Sequence, residues 1–274
     1  MNWRGGFHRV HFALSRSRVI TRMALAFRNQ FGAVVAARVA APTCQGEGNG
    51  EQFLARSLAP GCEFFIDVGA NVGEWTDSML VANGNMPRGL LFEPNHATFV
   101  ELHKKYAAQR NLTPIEAAVS DYDGEADFFE EAACGRTSSL SGVNARPDAI
   151  RRKVRITTLD HEVEACGWPR VDLLKIDAEG HDFYVLRGAR RLLEKGKISV
   201  LQFEYSMESA ATGATLAGAY NFLEAFGYRV FILRPDGLYD FNVRRYGETF
   251  AYANFVAVRR DRQQAIAALI RGDW

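Results

Sequence analysis

From Glu63 onward, short apolar runs alternate with stretches of helical spacing, and this alternation constrains the fold more than any other feature. Glu63–Val68, Gly89–Phe92, Leu112–Val119, Val171–Ile176, Ile198–Phe203, Tyr228–Leu233 and Ala251–Val258 read as strands. Between them, Trp75–Ala82, His96–Ala108, Phe183–Glu194 and Leu216–Phe226 read as helices; Asn95 is placed to cap the second and Gly227 to close the last. Ala126–Phe129 and Val154–Ile156 read as short extra strands around a polar loop. Alternation of this kind predicts a doubly wound α/β sheet of about seven strands, mostly parallel and covered by helices on both faces. No helix separates the last two strands, which the Pro235-Asp-Gly237 turn and a longer loop join, so they are expected to form an antiparallel edge hairpin. Ligands of such sheets bind at the carboxyl ends of the strands, near the point where the strand order reverses.

The charge is uneven. Seven of the 33 basic residues, all arginines, precede Glu47 with no acid among them, which leaves 26 bases against 32 acids in the remainder. Residues 1–50 are therefore read as a basic helical arm and residues 51–274 as the main domain, with Gly46-Glu-Gly-Asn-Gly50 as a linker or loop. Val19, Met23 and Phe27 fall at helical spacing within the arm. Three readings stand for it: a helix packed on the domain, peripheral contact with an anionic membrane, or a targeting segment. No apolar run approaches the ~20 residues that span a bilayer. A net charge of +1 gives no case for a nucleic-acid partner. Cys44, Cys62, Cys134 and Cys166 form no CxxC pair or zinc pattern, so they are expected to be free thiols in a reducing, cytoplasmic setting.

The chemistry gathers at two strand ends. Phe64-Phe-Ile-Asp67-Val-Gly69-Ala-Asn71-Val-Gly73 is a strand that ends in an acid and turns through two glycines into a helix. Gly69 lets backbone approach a ligand closely. Asp67 is placed to accept from the turn or from a cationic amino group. Glu93 closes the next strand, 20 residues after Gly73, where an acid can accept both ribose hydroxyls of an adenosine. A dinucleotide fingerprint would carry a middle glycine, absent here, and an acid sits where phosphates want donors. A cationic adenosine ligand, S-adenosylmethionine, is therefore expected, held by Asp67, Gly69, Asn71, Gly73 and Glu93, with Glu116 and Ala117 near the adenine edge. A nicotinamide oxidoreductase and a non-catalytic adenosine-binding scaffold are the alternative readings.

The set Phe65-Ile-Asp-Val-Gly-Ala-Asn-Val-Gly73, Phe92-Glu-Pro94, Ala117-Ala-Val-Ser120, Thr137-Ser-Ser-Leu140, Thr158-Leu-Asp160 and Leu174-Lys-Ile-Asp-Ala-Glu-Gly180 resembles the FkbM family of methyltransferases, over roughly residues 50–260. The resemblance implies a class I, Rossmann-like methyltransferase fold and methyl transfer to a hydroxyl of a sugar, polyketide or other secondary metabolite. The run departs from the family pattern at His181-Asp182, where many members carry a small residue and Glu.

Transfer to a hydroxyl needs a base. Asp177, Glu179 and His181 are the catalytic candidates, with Asp182 beside them and Glu204 at the neighbouring strand end. Asp177 is equally a cofactor contact, Glu179 equally a turn-fixing residue at a helix start, and His181 equally a surface residue. If the strand runs on, Asp177 and Glu179 share one side. Lys175, within a buried strand, is expected to pair with a carboxylate. Three carboxylates so placed could bind a divalent metal, a reading not favoured because no rigid ligand pattern supports it. Thr137-Ser-Ser139 offers hydroxyls or a turn. Tyr239, Phe241, Tyr246, Phe250 and Tyr252 offer a lid or edge-strand packing.

Overall fold

The computed structural model describes residues 10–83, 86–130, 140 and 149–274. The chain divides into two compact units, Met1–Ala40 and Ala41–Trp274. The first unit holds helix α1 (Arg18–Val39). Its N-cap Ser17 side chain accepts from the Ile20 amide, and Arg38 lies in the last turn, where a cation suits the carbonyl end of the helix dipole.

The second unit opens with two short helices, α2 (Gly46–Asn49) and α3 (Glu51–Leu58), where the glycine content predicts a loop. Tertiary anchoring overrides that expectation. Asn49 is buried; its Oδ1 accepts from the Glu51 amide at 3.0 Å and its Nδ2 donates to the Tyr252 hydroxyl at 3.1 Å. Gly50 joins the two helices at φ 99°, a left-handed conformation that glycine adopts without a Cβ penalty.

The remaining elements follow in chain order. They are β1 (Phe64–Val68), α4 (Glu74–Ala82), β2 (Arg88–Phe92), α5 (His96–Tyr106), β3 (Leu112–Ile115), β4 (Ala118–Val119), β5 (Gly124–Glu130), β6 (Ile150–Thr157), α6 (Leu159–Ala165), β7 (Val171–Ile176), α7 (Asp182–Gly188) and α8 (Arg190–Glu194). After them come β8 (Ile198–Tyr205), α9 (Met207–Ala211), α10 (Leu216–Ala225), β9 (Tyr228–Arg234), β10 (Gly237–Asp240), α11 (Val243–Tyr246), β11 (Ala253–Arg259), a 3-10 helix (Arg260–Leu269) and β12 (Ile270–Asp273). Helix starts carry the expected caps. Asn95 accepts from the Thr98 amide, Thr158 from His161 and Thr215 from Gly218.

The main sheet has nine strands in the order β3-β2-β1-β7-β8-β11-β9-β10-β12, beside a three-stranded sheet β4-β6-β5. β3, β2, β1, β7 and β8 are mutually parallel, and β11 is antiparallel to both its neighbours. The doubly wound reading holds, with three corrections. β9 and β11 do pair antiparallel but do not form the edge: β11 inserts between β8 and β9. Ala253–Val258 is buried at every residue, and such a strand needs neighbours on both sides. The edge is made instead by β10 and β12, short strands that lack a strong apolar pattern. Leu112–Val119 is two strands in two sheets, broken at Glu116-Ala117. The helix expected over 183–194 is interrupted at Ala189, next to Gly188, which packs so tightly that a Cβ there would lie 1.9 Å from the Ser120 carbonyl oxygen.

One face of the main sheet packs Phe65, Leu91, Leu173, Val200, Val256 and Val258 against Leu54 of α3, Met79 of α4 and Leu102 of α5. Fully burying a side chain of this size contributes roughly 1.5–3 kcal/mol. Cys44, Cys62 and Cys166 are free thiols. Among the described residues no helix is long and apolar enough to cross a membrane.

Candidate active site

The chain steps outward from β1 to β2 and β3, then returns to β7 on the other side of β1, so the reversal point lies between β1 and β7. Those two strands are clamped at both ends. At the amino end, Asp172 Oδ2 accepts from the amides of Glu63 and Phe64 at 2.9 and 3.0 Å. At the carboxyl end, the Asp177 amide donates to the Val68 carbonyl at 3.1 Å. Gly69 follows at φ 73°, and a Cβ on it would lie 1.9 Å from the Asp177 carbonyl oxygen. The neighbouring backbone is by itself enough to require the glycine.

Every amide of the glycine loop is already engaged. Gly69 and Ala70 donate to the Phe92 carbonyl at 3.0 and 2.9 Å, and Gly73 to Ala70 at 2.8 Å. The Asn71 amide donates to Glu93 Oε2 at 2.9 Å, and Val72 to the Asn71 side-chain oxygen at 2.7 Å. A pyrophosphate cradle needs such amides unengaged. Glu93, 7% exposed, also accepts from the Asn95 amide through Oε1 at 2.8 Å, which ties the turn after β1 to the turn after β2. Burial pushes its carboxyl up to about 7 against the pull of those two amides and of Lys175.

Asp67 is fully buried. Thr76 donates to it at 2.7 Å, and Lys175 Nζ lies 3.3 Å away. The same ammonium donates to the Gly69 carbonyl at 3.0 Å and lies 3.2 Å from Asp177 Oδ2. Burial alone would push Lys175 down, but Asp177, Asp67 and Glu51 together outweigh it and raise the ammonium above its ordinary range. The cationic partner open to Asp67 from sequence is thus Lys175, a neighbour within the sheet.

Strand register extends this polar row. Asp67 stands opposite Lys175, Lys175 opposite Gln202, and Gln202 opposite Val256. Two residues toward the carboxyl ends, Asp177 and Glu204 share that face, with Asn254 directly across from Glu204. Gln202 and Asn254 are fully buried, and neither polar atom of either amide has a hydrogen-bond partner. Glu51 at the start of α3 belongs to the same group; burial, then Asp177, push it up to about 7. Glu51, Gln202 and Asn254 escape a reading of the sequence. A polar residue interrupting each of two apolar strands is the available signal for the amides; Glu51 has none.

The extended run ends at Asp177, since Glu179 turns to φ 49°. Asp177 and Glu179 nevertheless interact. Burial, then Asp177, Asp182 and Glu208, push Glu179 up to about 8. Asp182 is buried and accepts from the Ala178 amide at 3.3 Å and the Glu204 amide at 2.9 Å, stapling the turn after β7 to the end of β8. Burial, then Asp177, push it up to about 7, and Glu204 is raised by burial, Asp177 and Asp182.

The other candidates lie apart from this group. His181 Nε2 is 2.9 Å from the Ser120 hydroxyl and its ring stacks on Tyr184 at 4.5 Å; burial pushes it down to about 4. Glu116 pairs with His96 at 2.7 Å on the exposed rim, while Ala117 is buried in the turn between β3 and β4. Thr137, Ser138 and Ser139 lie outside the described residues. Phe241 stacks on Tyr246 and meets Phe255 of the central strand β11, Tyr239 meets Trp274, the Tyr252 hydroxyl accepts from Asn49, and Phe250 is exposed, so the five do not form one cluster. Among the described residues no group of three His, Cys, Asp or Glu is arranged to hold a metal ion.

The carboxylates make stability depend on pH with a definite sign. The folded chain keeps a proton on Glu179 up to about 8, whereas the ordinary value is 4.5. The stability so gained is complete below 4.5 and is lost as pH rises through about 8. Glu51, Glu93 and Asp182, each near 7, act in the same direction. His181 acts oppositely: its contribution is present above 6.5 and lost as pH falls through about 4. Urea unfolding of Glu179→Gln is expected to show a shallower decline than the parent between pH 4.5 and 8. Parallel curves would place the titration on another group.

The donor chemistry of the reversal point fits one kind of ligand. Its loop amides are engaged, its buried cation is shared among Asp67, Asp177 and the Gly69 carbonyl, and what it presents is carboxylate. A ligand that brings hydroxyls and positive charge suits it, and a pyrophosphate does not.

Comparison with known proteins gives the family. Among curated proteins none matches the chain. In solved structures, methyltransferase FkbM from Methylobacillus flagellatus is similar at 16% identity and TM-score 0.47, over 71% of this chain and 43% of that one. This chain therefore spans less than half of that FkbM protein. An O-methyltransferase from Bacillus cereus in complex with SAH is similar at 12% identity and TM-score 0.42, covering 86% and 90% of the two chains. Aeropyrum pernix fibrillarin with natively bound S-adenosyl-L-methionine is similar at 14% identity and TM-score 0.42, covering 80% and 86%. The family model of the methyltransferase FkbM domain matches residues 67–230, from the acid that ends β1 to the middle of β9. With that match laid over a class I, Rossmann-like sheet, the chain belongs to the FkbM family of methyltransferases.

Proposed function

We propose that this chain transfers a methyl group from S-adenosylmethionine to a hydroxyl of a small polyhydroxylated acceptor, a sugar or another secondary metabolite. The observation that carries the reading is the acceptor-rich reversal point, where five loop amides are engaged within the protein and Glu93 is buried at the strand end. S-adenosylmethionine, when bound, supplies the activated methyl group. Each Glu93 oxygen takes one backbone amide and keeps a further lone pair, which suits the two ribose hydroxyls.

Asp177 and Glu179 follow β7, beside the reversal point. Glu179, raised to about 8, is mostly protonated at neutrality; its ionised fraction, which grows as pH approaches 8, serves as the general base. Such a base contributes ~10²–10⁴-fold. His181, pushed down to about 4 and bonded to Ser120, is a weaker base. Lys175 holds Asp177 in place. Gln202 and Asn254, buried with unpaired amides beside Glu204, suit an acceptor that both donates and accepts hydrogen bonds, as a polyol does. The pairing of buried amides with carboxylates favours oxygen over a bare apolar acceptor.

Calorimetric titration with S-adenosylmethionine tests the site. Glu93→Ala is expected to bind about 10–100-fold more weakly, because hydrogen bonds to a charged acceptor are worth roughly 1.5–3 kcal/mol each. Unchanged affinity would overturn the assignment. Release of S-adenosylhomocysteine across a panel of sugars reads the acceptor class.

A further inference from the structure

Helix α1 belongs to the first unit, and its surface is organised. Val19, Met23, Phe27, Phe31 and Val34 recur at spacings of four, four, four and three, which draws a single stripe along the helix. All five are exposed, the two phenylalanines at 60% and 67%. Arg18, Arg22 and Asn29 fall on the opposite side by the same geometry. No acid occurs before Glu47.

We propose that α1 lies flat on an anionic lipid bilayer, with the stripe sunk at the boundary of headgroups and acyl chains and the arginines against lipid phosphates. The helix is too polar to span, since no described helix is long and apolar enough to cross a membrane. Its composition is that of an interfacial helix: an apolar stripe bearing aromatics, with Arg18, Arg22 and Arg28 off that stripe and too many polar residues for the whole helix to enter lipid. Charge selects a bilayer over a second copy of the chain. Pairing two stripes would bring together Arg18 and Arg22 of two arms whose own sequence holds no acid before Glu47, whereas helix seams that associate in water carry opposite charges at their flanks. An anionic lipid surface supplies negative charge for Arg18 and Arg22.

Co-sedimentation of the full chain with phosphatidylcholine vesicles, with and without phosphatidylglycerol, tests this. Binding is expected only when phosphatidylglycerol is present, and it should weaken as salt rises. Arg18→Ala and Arg22→Ala should each weaken it about fivefold. Phe27→Ser combined with Phe31→Ser should weaken it at least tenfold. Equal sedimentation with neutral and anionic vesicles, or parental binding by the double phenylalanine variant, would overturn the proposal. So would a drop in sedimentation mass of that variant in lipid-free solution, which would identify the stripe as an interface between copies. The arginine substitutions lie on the polar side and give an independent reading if the phenylalanine variant folds poorly.

Discussion

Replacing Lys175 by methionine is expected to destabilise the protein by about 3–5 kcal/mol, the cost of leaving a buried charge without its partner. Lys175 is 3% exposed and Asp67 fully buried, so water cannot replace the ammonium at Asp67, whereas Asp177 is partly open to solvent. Methionine keeps the length and apolar stem of the side chain, so the loss reports charge and not volume. Two further consequences separate this from a simple packing defect. Adding Asp67→Asn to Lys175→Met should recover part of the loss, because the stranded carboxylate is then neutral. Cofactor affinity should also fall, since the Gly69 carbonyl loses its donor and the loop its anchor. Urea unfolding measures the first effect. A loss below about 1 kcal/mol, typical of surface ion pairs, would show that the three groups are not coupled as their distances imply.

Gly69→Ala is expected to be nearly as damaging, by a different mechanism. The left-handed backbone alone costs a non-glycine residue ~1–2 kcal/mol. The added Cβ would also sit 1.9 Å from the Asp177 carbonyl oxygen, a backbone atom held within the β1–β7 ladder. Relief requires the two strand ends to part, which pulls Asp177 away from Lys175 and disturbs the loop that Glu93 holds. The total should exceed about 3 kcal/mol, with a matching loss of cofactor binding. Gly61→Ala is the control. Gly61 has φ 84° and nothing within 4 Å of the added Cβ, so it should show the backbone cost alone. Equal unfolding midpoints for the two variants would mean that the strand ends separate freely and that the clamp does not position the site.

Much of this architecture is visible in local pattern. The run Phe64–Val68 followed by two glycines gives β1, its turn and α4, and Val171–Ile176 forms β7 with the expected bounds because a short apolar segment between polar flanks has few other ways to fold. The acids at Asp67, Glu93 and Asp177 are legible for the same reason: each interrupts an apolar strand at its carboxyl end. Errors fall where a distant contact decides. Gly46–Asn49 is helical because Asn49 is anchored by Tyr252, more than two hundred residues away in sequence. β11 occupies the middle of the sheet because it is buried throughout, and a run of apolar residues does not reveal its neighbours. His181 sits beside the acids in sequence but turns toward Ser120, while Glu51, remote in sequence, joins them.

What the sequence determined by itself is the order of the parallel strands and the helices between them, the acidic strand ends and the family to which they belong, because periodicity and turn chemistry act over a few residues. The tertiary structure alone decided which acids meet, which are neutralised by Lys175, and why Gly69 must be glycine. Those properties depend on burial and on through-space distances of about 3 Å between segments that the chain does not join locally.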